Sequence, residues 1–212
     1  TGFSYLPADH AANLSALIDG LGLKDITLVV HDFGGPIGLS YAINNPGNVK
    51  RIVVLNTWMW SLQDDNGIVL PVRFLSSPLG KFLCLRFNLE VEVIMPGAFG
   101  DQQKFTKPNR DQYRGAQQTT EARNAVWIFA RELLGSTAFY NELWAKREAI
   151  QDIPALLAWG MKDPLFKPPY LERWQSVFTN GQTYRFEESG HFVQEEMGEA
   201  LVPVVRDFLT SS

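Results

Sequence analysis

Three short stretches of this 212-residue chain carry side chains whose types and order suit covalent hydrolysis. The first is His31-Asp32-Phe33-Gly34-Gly35, the second Trp159-Gly160-Met161-Lys162-Asp163-Pro164, the third Ser189-Gly190-His191-Phe192. An ionised carboxylate such as Asp32 can attack carbon and form an ester on the protein. A neutral imidazole such as His191 can then take a proton from the water that hydrolyses that ester, provided a second carboxylate, here Asp163, fixes its tautomer and orientation. Each residue alone has an ordinary reading: Asp32 as a helix N-cap, Asp163 as the turn residue before a proline, His191 as a structural histidine. His10 and His31 read as structural. What favours chemistry is the combination, in the chain order nucleophile, acid, histidine, with each member just past an expected strand.

The elements that would position these residues follow from hydrophobic patterning. Pro7–Leu21 has apolar residues at helical spacing and ends at glycines. Ile26–Val30 and Ile52–Leu55 are β-branched runs expected to be buried on both faces, with a helix over Pro36–Asn44 between them. Strand, helix and strand in so short a span make a βαβ unit, and such units build parallel sheets. The pattern stops at Thr57 and resumes with a strand at Ala155–Trp159, a helix at Tyr170–Val177, a strand at Thr183–Phe186 and a last helix from Glu195 to Leu209, interrupted at Pro203. Between them lies a helical segment, with helices near Gln112–Gln117 and Ala122–Leu134. The expected architecture is α/β: a mostly parallel sheet with helices on both faces, formed by residues 1–56 and 152–212, and a helical cap over residues 57–151.

Composition narrows the function classes. Hydrophobic residues are 45% of the chain and charged residues 20%, as in ordinary globular domains. The net charge of −4 argues against a nucleic-acid partner. The apolar runs fall far short of the ~20 residues of a membrane helix, so no membrane partner is expected. No secretory leader is read at the start, and one cysteine, Cys84, cannot form an intrachain disulfide. These features set the expectation of a cytoplasmic protein. No Cys/His cluster suggests a metal site. Aromatic residues reach 12% with six tryptophans, enough to line an apolar pocket as well as fill a core.

The stretches Leu28–Gly35, Trp159–Pro164 and Gly190-His191-Phe192-Val193-Gln194-Glu195-Glu196 resemble the haloalkane dehalogenase family of the α/β-hydrolase fold. The resemblance spans nearly the whole chain but is specific only in these motifs. It implies an Asp-centred nucleophile elbow, no cofactor, and a small apolar organic substrate that exchanges halide for water. It assigns Asp32 as nucleophile, His191 as base and Asp163 as acid. One branch of the family instead carries a Glu near the position of Asn56, which cannot serve as an anion. In the family a Trp follows the nucleophile and its indole N–H holds the leaving halide; here that residue is Phe33, which has no side-chain donor but keeps its place at the substrate and halide site through its backbone N–H. Trp127 is then the leading candidate for a halide donor, with Trp58 and Trp60 behind it. Epoxide hydrolases share the Asp elbow; that alternative would call on Tyr113 or Tyr140 as the acid. A third is a non-catalytic protein on this scaffold. The resemblance also places strands and a His-Gly-containing loop before Thr1, so the chain reads as N-terminally truncated, with an open sheet edge where those strands belong. The insertion residues Phe74, Leu75, Phe82, Leu83, Phe129 and Leu133 suggest an apolar pocket.

Overall fold

A computed structural model describes residues 3–211. Four strands, β1 (Ile26–Asp32), β2 (Val49–Thr57), β3 (Ala155–Gly160) and β4 (Gln182–Phe186), form one parallel sheet in the order β1-β2-β3-β4. Helix α1 (Pro7–Gly20) precedes β1, and α2 (Gly34–Asn44) connects β1 to β2. Between β2 and β3 the chain makes α3 (Asn66–Ser76), α4 (Pro78–Phe87), a π-helical turn (Glu90–Ile94), α5 (Met95–Ala98), α6 (Lys107–Ala116), α7 (Thr120–Gly135) and α8 (Thr137–Ala145). Helix α9 (Pro168–Val177) follows β3, while α10 (Val193–Glu196) and α11 (Gly198–Thr210) follow β4.

The two faces of the sheet are covered by different elements. Val30, Ile52, Val54, Leu157 and Trp159 point into the larger core with Leu39 of α2 and Trp174 of α9. Val53, Leu55, Leu156 and Ala158 point the other way, against Leu201 and Phe208 of α11. This two-sided burial is what the unbroken apolar runs of β2 and β3 encode. β1 departs from that expectation. Its residues alternate between partly buried and exposed, and Val29 is 59% exposed on the face where α11 shields β2 and β3. β1 and β4 are the edges of the described sheet.

The expected boundaries hold to within a few residues for most elements. Four helices are not expected from the sequence: α3, which carries an internal proline, Pro71; α4; the short α5; and α8. In α3 and α4 several apolar side chains face outward, including Leu70, Leu79 and Phe82, which blurs the helical stripe. The last helix is indeed broken, but at Met197, whose backbone lies outside the helical region (φ −128°), and not at Pro203, which sits inside α11. A proline there removes one intrahelical hydrogen bond without ending the helix.

The turn from β1 into α2 is the tightest point of the sheet. A Cβ on Gly35 would lie 1.9 Å from Thr57 Oγ1 and 2.9 Å from the Trp58 carbonyl oxygen, so α2 can start against β2 only because residue 35 has no side chain. Gly35→Ala should therefore cost about 1–3 kcal/mol through overpacking, read as a lower denaturant midpoint at unchanged slope.

Candidate active site

The three residues singled out by their order meet at the carboxyl ends of the strands, where open α/β sheets place their ligands. Asp32 is the last residue of β1 and adopts a left-handed backbone conformation (φ 48°), a region where Asp is tolerated better than most residues. Its carbonyl accepts from the Thr57 hydroxyl, and α2 begins directly behind it, with the Phe33 backbone N–H beside its carboxylate. Asp163 lies in the loop after β3. His191 lies in the loop after β4, and its backbone N–H donates to the Ala98 carbonyl at 2.8 Å. His191 Nδ1 is 2.8 Å from Asp163 Oδ2, and its Nε2 is 4.0 Å from Asp32 Oδ1.

Two residues that sequence reasoning did not single out as site members hold this arrangement. The first is Asn56, noted earlier only because it cannot be an anionic acid. The β1–β2 register slips between His31↔Leu55 and Asp32↔Thr57, which leaves Asn56 out of the ladder. Its side-chain amide donates to Asp163 Oδ2 (2.8 Å) and to the Gly160 carbonyl (3.0 Å), and its oxygen accepts from the Gly160 N–H (2.8 Å). The Leu165 N–H donates to the other oxygen of Asp163 at 2.7 Å. The second is Glu196, buried below the histidine loop. It accepts from Gly190 N–H (2.7 Å) and the Ser189 hydroxyl (3.3 Å) with one oxygen, and from Gly100 N–H (2.9 Å) and Asp101 N–H (3.0 Å) with the other. The pattern Gly-His followed five residues later by a glutamate was visible in the sequence, but not its partners 95 residues earlier. His31, expected to be structural, is: its Nε2 donates to the His191 carbonyl at 2.9 Å.

The charges are strongly coupled. Burial opposes a charged His191, but the carboxylates of Asp163, Asp32 and Glu90 more than offset it and raise its pKa to about 9. At ~4 Å and an effective dielectric of ~20, an opposite charge contributes about 4 kcal/mol, so the two carboxylates within that range, Asp163 and Asp32, can overcome the cost of burial. Burial also opposes ionisation of Asp163, yet His191, the Leu165 N–H and the Asn56 amide hold it below the usual carboxylate range. Burial pushes the Asp32 carboxyl up, partly countered by His191. Burial and the His191 charge hold His31 neutral, with a pKa of about 3.

Asp32 and His191 open onto a cavity of about 610 Å³ between the sheet and the helical segment. Its wall is almost wholly apolar, with Phe33, Phe74, Phe129, Leu133, Phe166 and Phe192 among its members. Phe74, Leu75, Phe129 and Leu133 line it as the sequence suggested, but Phe82 and Leu83 do not. Trp127 is a correction. Val126, Phe129, Ala130 and Leu133 form the cavity-facing stripe of α7, and residue 127 lies about 100° around the helix from Val126. Trp127 is instead buried against Leu75 and Cys84, with its indole N–H donating to the Leu75 carbonyl at 2.8 Å. Trp58 is fully buried edge-on to Phe33, and Trp60 packs edge-on to Trp144 and at tilted angles to Tyr170 and Trp174; neither lines the cavity. The tyrosines change too. Tyr140 is buried outside the cavity and donates to the Glu132 carbonyl, while Tyr113 lines it but donates to Glu195 at 2.8 Å.

A sequence profile of the α/β-hydrolase fold matches residues 3–197. A cis-3-alkyl-4-alkyloxetan-2-one decarboxylase of Shewanella oneidensis is 27% identical, over 100% of this chain and 69% of that protein. Haloalkane dehalogenase 2 of Mycobacterium tuberculosis is 28% identical, over 97% of this chain and 71% of that protein. The solved structure of haloalkane dehalogenase DatA from Agrobacterium tumefaciens superposes with a TM-score of 0.84 at 23% identity, over 99% of this chain and 75% of that one.

The Glu196 carboxylate satisfies donors from two separate segments, so Glu196→Leu should strand buried N–H groups of both. The expected loss is about 3 kcal/mol or more, measured by equilibrium unfolding, with Glu196→Gln losing less because it keeps one acceptor oxygen.

Proposed function

The chain belongs to the α/β-hydrolase fold family, and on that footing we propose that it hydrolyses the carbon–halogen bond of small haloalkanes through an alkyl ester on Asp32. The observation that carries this reading is His191 held at 2.8 Å from Asp163 and 4.0 Å from Asp32, at the edge of an apolar cavity. The names of the relatives, a haloalkane dehalogenase and a decarboxylase of an alkylated small-ring lactone, support chemistry on alkyl substrates.

In the first step an Asp32 carboxylate oxygen attacks the halogen-bearing carbon in line with the leaving group. The new C–O bond replaces the carbon–halogen bond, and halide departs with the electron pair. The 4.0 Å gap between His191 Nε2 and Asp32 is too long for a direct hydrogen bond. It suits a water that His191 deprotonates as it attacks the ester carbonyl, and the alcohol then leaves with that proton. The raised His191 pKa fits this order. While Asp32 is anionic, His191 is mainly protonated near neutrality. Ester formation removes the Asp32 charge and weakens the attraction that holds the proton, so that His191 gives it up to solvent more readily and can serve as a neutral base at the step that needs one. Asp163 orients the imidazole and stabilises its protonated form.

A second reading is hydrolysis of an epoxide by the same three residues. It is favoured by the absence of any tryptophan indole among the described residues lining the cavity.

Asp32→Ala should abolish bromide release from a short bromoalkane; residual turnover would overturn the nucleophile assignment, and silence of the wild-type chain would favour the non-catalytic reading. His191→Gln should form the ester without hydrolysing it, visible by mass spectrometry as an alkyl adduct on the peptide bearing Asp32. Because the second step needs neutral His191, ester hydrolysis in wild type should slow as pH falls. Rapid-quench experiments should then show the adduct accumulating at acid pH, while the bromide burst persists as long as Asp32 stays ionised.

A further inference from the structure

The cavity holds one carboxyl that the Asp32–His191–Asp163 scheme does not use. Asn88 caps α4 with a left-handed backbone (φ 51°), and the π-helical turn Glu90–Ile94 follows. Such turns carry an extra residue and recur at functional sites because they re-aim side chains. Here the run Leu89-Glu90-Val91-Glu92-Val93 is split three ways. Glu92 turns outward to Arg114 at 2.6 Å, Val91 is fully buried, and Glu90 joins Asp32 and His191 in lining the cavity.

Among the described residues no lysine or arginine pairs with Glu90. Cys84 and Arg123 lie behind it, but the Arg123 guanidinium is committed to the carbonyls of Gln117, Leu85 and Arg86. Asp32 and His191 face the same cavity, and the Tyr113 hydroxyl is held by Glu195. Burial, reinforced by the Asp32 charge and countered by His191, lifts the Glu90 carboxyl to about 7, so it is mainly protonated below neutrality. Among the other groups nearby, Phe33 has no side-chain donor, Trp127 and Tyr140 donate elsewhere, the unpartnered Trp58 indole N–H does not line the cavity, and the His191 proton is held between the carboxylates of Asp163 and Asp32. Gln117 lines the cavity too, but an amide does not transfer a proton.

We propose that Glu90 is the acid of this site: it protonates the oxygen that leaves when a small-ring ether is opened, so the same centre hydrolyses epoxides as well as haloalkanes. The proposal rests on Asp32 as the nucleophile. Asp32 attacks one ring carbon, that carbon–oxygen bond breaks with its electron pair going to oxygen, and the oxygen takes the Glu90 proton. His191 then activates water to hydrolyse the ester. The diol leaves, and the proton released as Asp32 regains its charge restores Glu90. A departing halide needs no proton, so haloalkane turnover requires nothing from Glu90 beyond a hydrogen bond, which glutamine can also donate.

The test compares wild type, Glu90→Gln, Glu90→Leu and Asp32→Ala at pH 6 with 1,2-epoxyhexane and 1-bromohexane. Wild type is expected to turn over both. Glu90→Gln should lower epoxide opening by about 100-fold or more, the usual range of a general acid, a loss at least tenfold larger than any change it makes in bromide release, with an unchanged melting temperature. Glu90→Leu should lose both the acid and the hydrogen bond, and so slow both substrates. Wild type that releases bromide but leaves the epoxide intact would overturn the proposal. So would Glu90→Gln that opens the epoxide at the wild-type rate, or that slows both substrates equally. Asp32→Ala separates the two readings: turnover that survives in it sinks the nucleophile, whereas an Asp32-dependent epoxide activity that ignores Glu90→Gln sinks the acid alone. Infrared difference spectra of wild type minus Glu90→Gln at pH 6 give a readout without turnover. A protonated carboxyl band is expected, and its absence overturns the proposal.

Discussion

The Glu196 carboxylate holds together two parts of the chain that must agree for the site to exist. Its four acceptor contacts reach the histidine loop through Ser189 and Gly190 and the helical segment through Gly100 and Asp101. Around it the backbones approach as closely as glycine allows. A Cβ on Gly190 would lie 2.2 Å from the Ala98 carbonyl oxygen, and one on Gly160 would lie 1.9 Å from the Gly190 carbonyl oxygen. The same junction sends the His191 N–H to Ala98. The cavity wall and the imidazole are therefore placed by one buried anion, and neither can shift far without leaving donors unpaired.

Much of this was legible in the sequence because it rested on residue type and order. A β-branched run ending in His-Asp-Phe-Gly-Gly specifies a strand, a polar tip and a helix that must start close by. The later strands, ending before Asp163 and His191, bring the remaining groups to the same edge of a parallel sheet. What was not legible depends on rotation and on contacts between distant segments. Trp127 and Phe129 are two residues apart on one helix and both aromatic, so composition treats them alike. Helical geometry sends one into the cavity and the other against Leu75. Asn56 acts because the β1–β2 register slips beside it. Glu90 faces inward because of a π-helical turn, and an alternating Leu-Glu-Val-Glu-Val stretch does not announce one.

The electrostatics of the site form one system, not separate residues. His191 holds its proton because carboxylates surround it, and Asp163 stays ionised because His191, Asn56 and a backbone N–H compensate for its burial. Asp32 is less well supplied. It keeps the partial support of His191 and of the Phe33 N–H, while burial and the Asp163 charge act against it.

Asp32 carries two burdens at once: a backbone in the left-handed region and a carboxylate whose charge its surroundings disfavour. An asparagine would fit the same backbone at least as well and would not carry a charge that its surroundings disfavour. Folding stability by itself therefore gives no reason to place an aspartate at this position. A search for more heat-resistant variants of the chain, scored on melting alone, would be drawn toward losing that carboxylate, and the site's reactivity and the fold's robustness pull this position in opposite directions.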